Sequence, residues 1–156
     1  MSYRWLLLLH IASVLALLGT HGTSMTVLYR IRRERDRTKV LDQVTLSGET
    51  ILPMYISLAA IVVTGVLLGL KVHAFSRWWL WVAIVILVAI SALMGAIARP
   101  YFARVKEACQ VRPSGVPRVS DEELGEILGA PTAHVIAAIG GLGLLAILYL
   151  MVFQPH

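Results

Sequence analysis

Acidic residues are scarce in this chain and absent from its apolar parts. Nine of the 156 residues are Asp or Glu, and none of the nine lies in the four long apolar runs. Hydrolysis and phosphoryl transfer rely on carboxylates or on nucleophile and base arrangements, while ion channels and proton pumps commonly need carboxylates inside the membrane. The composition therefore argues against all four of these function classes.

Cysteine is nearly absent as well. The single Cys109 excludes an internal disulfide. It follows the third apolar run, in a segment that we expect to face the cytoplasm, where thiols stay reduced. We interpret it as a free structural thiol.

The chain does contain four long apolar runs, and its mean hydropathy is +0.77. The runs cover residues 5–28, 51–70, 78–98 and 132–153, and each reaches the roughly 20 residues that a helix needs to cross about 30 Å of hydrocarbon. Lipid offers the backbone no hydrogen-bond partner, so each run must be helical. We predict an all-α polytopic membrane protein, a four-transmembrane-helix bundle with short cytoplasmic amphipathic helices, forming a single domain over residues 1–156.

Positive charge is concentrated in two of the connections. The formal net charge is +5, and eleven of the fourteen Lys and Arg residues lie in the first and third connections. The positive-inside rule then places these two connections in the cytoplasm and both termini outside, as in a multi-pass protein of the bacterial inner membrane. We interpret the charge as a determinant of orientation in the lipid bilayer, and we predict no nucleic-acid binding.

Local signals predict how the runs are connected. The first helix is expected to continue into solvent through residues 29–37, and the polar stretch 45–50 is expected to form a turn before the second helix. Arg99-Pro100 should end the third span, and residues 101–111 alternate basic with apolar side chains, as in a short interfacial helix. The capping-box pattern that starts at Ser120 predicts another short helix, which ends at Gly129.

Small residues recur at helical spacing in three of the runs, which lets helix backbones approach closely. The fourth run adds Gly140 and Gly143, more glycine than two neighbouring helices need. The excess leaves room for a partner chain or for a flat cofactor, and helix packing is the favoured interpretation. The motifs are Gly65-x-x-x-Gly69, Ser91-x-x-x-Gly95, Ala92-x-x-x-Ala96 and Ala133-x-x-x-Ala137-x-x-x-Gly141.

Four histidines are the candidates for chemistry, because an ionisable side chain inside lipid usually faces the bundle interior. His10 and His21 lie eleven residues apart in the first run, which puts both rings on one helix face, about 16 Å apart along the axis. They cannot share one metal ion. By depth, His10 could pair with His73 and His21 with His134. A b-type haem between helices needs an axial imidazole, a small residue beside the macrocycle and an apolar shell, so His10, His21 and His134 are the candidate ligands of a haem iron.

Other interpretations of the same side chains stay open. His21 and His134 could be interhelical hydrogen-bond partners, and His73 is expected to be exposed in a loop. His156, the last residue, is not considered a candidate. A Cu(I) site would need clustered Met, Cys or His, for which the runs offer only His21 with Met25 one turn later.

Short patterns over residues 5–102 resemble an uncharacterised bacterial family of four-helix integral membrane proteins. That family is distantly similar to the copper-resistance D membrane proteins and to the haem-dependent J-type protoporphyrinogen oxidase. In the oxidase a histidine of the first helix is associated with haem, which by resemblance corresponds to His10. The third run has no lysine or histidine, and Leu17 stands where such relatives usually have tryptophan. The matching patterns are Leu9-His10-Ile11, Leu18-Gly19-Thr20, Arg30, Leu52-Pro53-Met54, Thr64-Gly65, the tryptophan-led third run and Arg99-Pro100.

Two hypotheses of different class follow. The first is a small membrane cytochrome that binds haem b and serves in membrane electron transfer. The second is a non-catalytic scaffold or accessory subunit, whose small-residue faces and cytoplasmic helix 121–128 bind a membrane-protein partner, or whose small-residue faces bind a second copy of the chain. Loss of a haem spectrum on histidine replacement would favour the first, and assembly defects without a cofactor change would favour the second.

Overall fold

The computed structural model describes residues 2–155 and confirms the all-α prediction. Four of its helical segments are long and apolar enough to cross a membrane. Within the described range there is no strand, only an isolated bridge between Val111 and Pro117. The helices are α1 (Tyr3–Ile31), α2 (Arg37–Glu49), α3 (Ile51–Lys71), α4 (Trp78–Ala108), α5 (Asp121–Gly129) and α6 (Thr132–Phe153), with a short 3-10 helix at Ala74–Ser76 between α3 and α4.

The first helix extends less far beyond its apolar run than predicted. The expectation that helix 1 continues through residues 29–37 is wrong, because α1 ends at Ile31. The Glu34 carboxylate accepts hydrogen bonds from the backbone N–H groups of Arg35, at 2.9 Å, and Asp36, at 3.0 Å. The Asp36 carboxylate then accepts the Thr38 N–H at 2.9 Å and caps α2. These local bonds reverse the chain before a longer helix can form.

The predicted turn over residues 45–50 is also wrong. Helix α2 runs through this stretch to Glu49, and only Thr50 separates it from α3. Val40, Val44 and Ser47 recur at helical spacing and are buried. Their burial against the rest of the protein outweighs the weak helix propensity of the polar residues between them.

Proline does not end the third span. Helix α4 continues through Pro100 to Ala108, so residues 101–108 extend the spanning helix and are not the separate interfacial helix that was expected. Pro100 removes one backbone donor. Tyr101, Val105 and Ala108, which lie on one side of the extension, are all buried. Their packing offsets the loss of that hydrogen bond.

The last two helices follow their predictions. Ser120 Oγ accepts the Glu123 N–H at 3.1 Å and caps α5, which ends at Gly129. Helix α6 covers the same residues as the fourth apolar run, 132–153.

The spanning helices associate as two antiparallel pairs. Helix α1 packs along α3, which we call the first pair, and α4 packs along α6, the second pair; contacts between α1 and α6 are fewer. We call this contact between the two pairs the seam. Many large apolar side chains on the outside of both pairs are exposed, among them Leu15, Val63, Val85 and Leu142, as expected for surfaces in contact with lipid.

The best-packed part of the protein lies where the basic connections are, and we call it the basic end. The ends of α1, α4 and α6 meet α2 and α5 there around one apolar core, in which Leu28, Ile31, Val40 and Val105 are the largest fully buried side chains. No single connection is long enough to build a core alone. Together with the projecting helix ends, however, the connections form one.

Two arginines of the first connection close this core. Arg37 donates to the Ala108 carbonyl at 3.0 Å, to the Val119 carbonyl at 2.8 Å and to the Asp121 carboxylate at 2.7 Å. Arg32 donates to the carbonyls of Gly129 and Ala130, at 3.1 and 2.6 Å. Both guanidinium groups thus satisfy carbonyls at the ends of α4 and α5.

A smaller cluster lies at the opposite end, where it packs the 3-10 helix against the second pair. Trp79, Leu80 and Leu150 are buried there with Ala74 and Ala83. Helix α4 begins with a group of tryptophans. Trp78 and Trp81 are about half exposed, whereas Trp79 is 5% exposed and belongs to this cluster.

Candidate functional site

The two histidines of α1 lie on the side of the helix that faces the rest of the protein. His10, Leu17, His21 and Leu28 point within about 20° of one direction at 3.6 residues per turn. Leu17 and Leu28 are buried, and both histidines are half-buried. The two rings contact different helices, however, so they form two separate environments.

His10 is held against α3. Its Nδ1 lies 2.9 Å from Thr64 Oγ1, and the Thr64 hydroxyl donates to the Ala60 carbonyl at 2.6 Å. Because that hydroxyl has one proton, we assign Nδ1–H of His10 as the donor to Thr64, which leaves the lone pair on Nε2. A Cβ on Gly65 would lie 3.3 Å from His10 Cε1. The glycine therefore provides the space that the ring occupies.

His21 lies in the seam. A Cβ on Gly140 would lie 2.5 Å from His21 Nε2 and 2.8 Å from Met94 Cε. An imidazole of the first pair and a thioether side chain of the second pair thus converge on the same Cβ-free position. Within residues 2–155, His21 Nε2 is a buried atom with no hydrogen-bond partner, and a buried polar atom of this kind calls for an explanation such as a water or a ligand.

A hydroxyl cluster follows His21 by one turn. Ser24 Oγ lies 3.1 Å from Thr50 Oγ1 and accepts the Ser47 hydroxyl at 3.1 Å. Thr50 donates its own proton to the Ser47 carbonyl at 2.8 Å. These bonds join α1 to the junction between α2 and α3, and so hold the helix that carries His21.

The predicted histidine pairs are not brought together. His134 is exposed, and its ring lies 5.8 Å from the Tyr29 ring at an angle of 52°. Tyr29 is eight residues beyond His21, about 12 Å further along α1. His73 is exposed at the start of the 3-10 helix, with φ 53°, as expected for a loop residue. His73 is eight residues beyond Gly65, the residue that contacts the His10 ring, or about 12 Å along the direction of α3, so it is not close to His10 either.

Some of the small-residue motifs lie in contacts between parts of the chain, whereas others lie on helix faces without such contacts. Ala133 and Ala137 are buried, and Gly69 faces the Phe75 ring. In contrast, Ala92 and Ala96 are exposed, and neither Gly95 nor Gly141 has a described residue within 4 Å of a Cβ position. Part of the predicted packing is therefore confirmed, while one face of α4 has no role within the described chain.

Other potential ligands are dispersed. The described residues contain no group of three or more His, Cys, Asp or Glu that could hold a metal ion. Cys109 is buried at the basic end, where burial raises the pKa of its thiol against the opposing effect of Arg37. A thiol with a raised pKa is a poor nucleophile.

Met94 is the residue that the sequence did not single out, and Gly140 was noted there only as part of an excess of glycine. Met94 looks isolated in the sequence, and only the tertiary structure places it beside His21. The excess glycine of the fourth run was the one available signal for Gly140. Comparisons of the chain with protein-family models, with curated proteins and with solved structures give no match.

Proposed function

We propose that the protein binds a b-type haem in the seam, where His21 would hold the iron, and serves in membrane electron transfer. The observation that supports this is the convergence of His21 Nε2 and the Met94 methyl group on Gly140, where the imidazole nitrogen is buried and has no described partner. Imidazole and thioether are both haem-iron ligands, and the combination raises the reduction potential. A bound haem would supply one-electron transfer.

The nitrogen and sulfur donors of His21 and Met94 suit a haem iron. The distance between α1 and α6, however, leaves no room for the macrocycle in this arrangement. The His21 ring touches Gly140 directly, so a macrocycle would need α1 and α6 to move apart at this level. Such a movement would leave the extensive contacts of α1 with α3 and of α4 with α6 intact. His10 is the alternative candidate ligand, for a haem at its own level and not for the one at His21. The bond to Thr64 orients its ring and leaves Nε2 available to coordinate. His134 is six residues before Gly140 in α6, about 9 Å along the helix, and has no part in the proposal.

The test is a reduced-minus-oxidised absorption spectrum of the detergent-purified protein from haem-replete cells. We expect a b-type signal that His21→Ala abolishes. Met94→Leu should keep the signal but change the reduction potential at which it appears. His134→Ala, at an exposed position, is the matched control and should leave the spectrum unchanged. A colourless wild-type protein would refute the proposal, and a signal that is lost with His10→Ala alone would assign the haem to His10.

The second candidate function is a scaffold or accessory subunit in a membrane complex. The unused face of α4, with Ala92, Gly95 and Ala96, supports it, because small residues exposed to lipid allow another helix to approach closely. The same spectrum separates the two candidates, since a scaffold of this kind has no haem signal.

The orientation is part of the proposal. We propose that the basic end faces the cytoplasm and that both termini lie outside, since eleven of the fourteen Lys and Arg residues are at this end. Alkaline phosphatase fused after residue 155 should be active in the periplasm, and the same enzyme inserted after Ser114 in the loop between α4 and α5 should be inactive. The reverse pattern would refute this orientation.

A further inference from the structure

A cleft at the basic end is the feature outside the proposed haem site with the clearest ligand chemistry. It opens between the end of α4, the following loop and α5, and its volume is about 510 Å³. Its charged lining residues are exposed and form the rim, while the apolar ones, Ala108, Val119 and Ile127, are buried or half-buried and form the floor. We propose that this cleft binds the headgroup of an aminophospholipid, a phosphodiester joined to a primary ammonium.

The length of α4 puts the cleft at headgroup depth. Its 31 residues extend about 46 Å, whereas a hydrocarbon core is about 30 Å thick. The apolar run begins with α4 itself, at Trp78, so the excess projects from the basic end. Arg104, which lines the cleft, is six residues or about 9 Å beyond Ala98, the last residue of that run. A long guanidinium side chain at this position reaches the phosphate layer.

The charges of the rim are divided between paired and unpaired groups. Arg118 donates to Glu107 at 2.8 Å and is occupied by this ion pair. The only other ion pair within residues 2–155 joins Arg37 to Asp121, outside this cleft. Arg104 and Arg112 are therefore available for a phosphodiester, which guanidinium groups bind through paired N–H donors.

Glu123 accounts for the specificity for an ammonium group in the headgroup. It is exposed on the first turn of α5 and lines the same cleft, and its carboxylate has no hydrogen bond or ion pair within residues 2–155. A purely anionic headgroup would leave this carboxylate beside like charge. A headgroup that carries an ammonium satisfies the two arginines and the glutamate together.

Lipid retention measured by native mass spectrometry tests the proposal on the full-length, delipidated protein. Phosphatidylethanolamine, phosphatidylglycerol and phosphatidylcholine are added separately, with soluble glycerophosphoethanolamine as a fourth arm. We expect phosphatidylethanolamine to be retained best, and Arg112→Gln to weaken its binding roughly tenfold. Glu123→Gln should lower phosphatidylethanolamine retention and raise that of phosphatidylglycerol.

Two control variants lie outside the cleft. Arg33→Gln removes an exposed arginine at the same end, and Glu122→Gln removes the neighbouring carboxylate of α5. Equal losses for Arg33→Gln and Arg112→Gln, or for Glu122→Gln and Glu123→Gln, would show a general charge effect and overturn the proposal. Stronger retention of phosphatidylglycerol than of phosphatidylethanolamine by the wild type would also overturn it. So would binding of the soluble headgroup that is tighter than retention of the lipid, because the ligand would then not be a membrane lipid. Because none of these readouts involves haem, the result is independent of the proposed function.

Discussion

Leucine at position 140 should separate the two helix pairs. The first atom of the new side chain would lie 2.5 Å from His21 Nε2 and 2.8 Å from Met94 Cε, distances at which neighbouring groups must move. We expect Gly140→Leu to lower the free energy of unfolding by about 3 kcal/mol, the upper part of the range for an overpacked core. Denaturation in mixed detergent micelles, followed by helix content, measures the change.

The adjacent glycine provides a matched control. Gly141 lies in the same helix, and no described residue comes within 4 Å of a Cβ placed there. Gly141→Leu should be neutral or stabilising by up to about 1 kcal/mol, since leucine has the higher helix propensity. Similar destabilisation by both variants would mean that glycine is needed for another reason than the contact with His21.

A double variant tests that contact directly. His21→Ala removes the ring that the new side chain would meet, so Gly140→Leu should cost less in this background than in the wild type. We expect an interaction free energy of about 1 kcal/mol or more. Strict additivity would place the strain elsewhere in the seam.

Replacement of Arg37 should have the second large effect. Its side chain is 15% exposed and donates to two carbonyls and a carboxylate, which belong to α4, the loop after it and the first turn of α5. We expect Arg37→Gln to cost about 3 kcal/mol, because at least two carbonyls would lose a charged donor. The same denaturation experiment applies.

Asp121 shows which part of this network matters. Its carboxylate is 91% exposed, and exposed ion pairs contribute about 0.5 kcal/mol. Asp121→Asn should therefore have a small effect, and high salt should change the cost of Arg37→Gln little. Arg33→Gln, at an exposed position in the same connection, should be neutral. A large effect of Asp121→Asn would mean that the ion pair, and not the carbonyl contacts, stabilises the basic end.

The elements that the sequence predicted well are those with a strong local signal. The bounds of α6 match the apolar run 132–153, and Ser120 caps α5 as its spacing indicated. The errors fall where distant packing outweighs such signals. Gly48 and its polar neighbours favour a turn, yet α2 is buried through Val40, Val44 and Ser47. Pro100 favours a helix end, yet Tyr101 and Val105 find a core beyond it.

In the candidate site, too, local geometry was predictable from the sequence and tertiary contacts were not. Spacing alone put His10 and His21 on one face of their helix, and this depends only on helical geometry. Their contacts depend on which helices become neighbours, so Thr64, Met94 and Gly140 could not be assigned to them in advance. Arg32 and Arg37 read as orientation charge in the sequence, but they also bond to carbonyls far along the chain.

The core at the basic end has a consequence for biogenesis. It draws side chains from α1, at Leu28 and Ile31, and from α6, at Ala133 and Ile136, so it stays incomplete until the last span has left the ribosome and entered the bilayer. The α1–α3 association needs only the first half of the chain and can form earlier, since contacts of shorter sequence separation close first. A chain truncated before α6 would expose an apolar surface at the basic end, and a membrane protease could distinguish it from the finished protein by that surface.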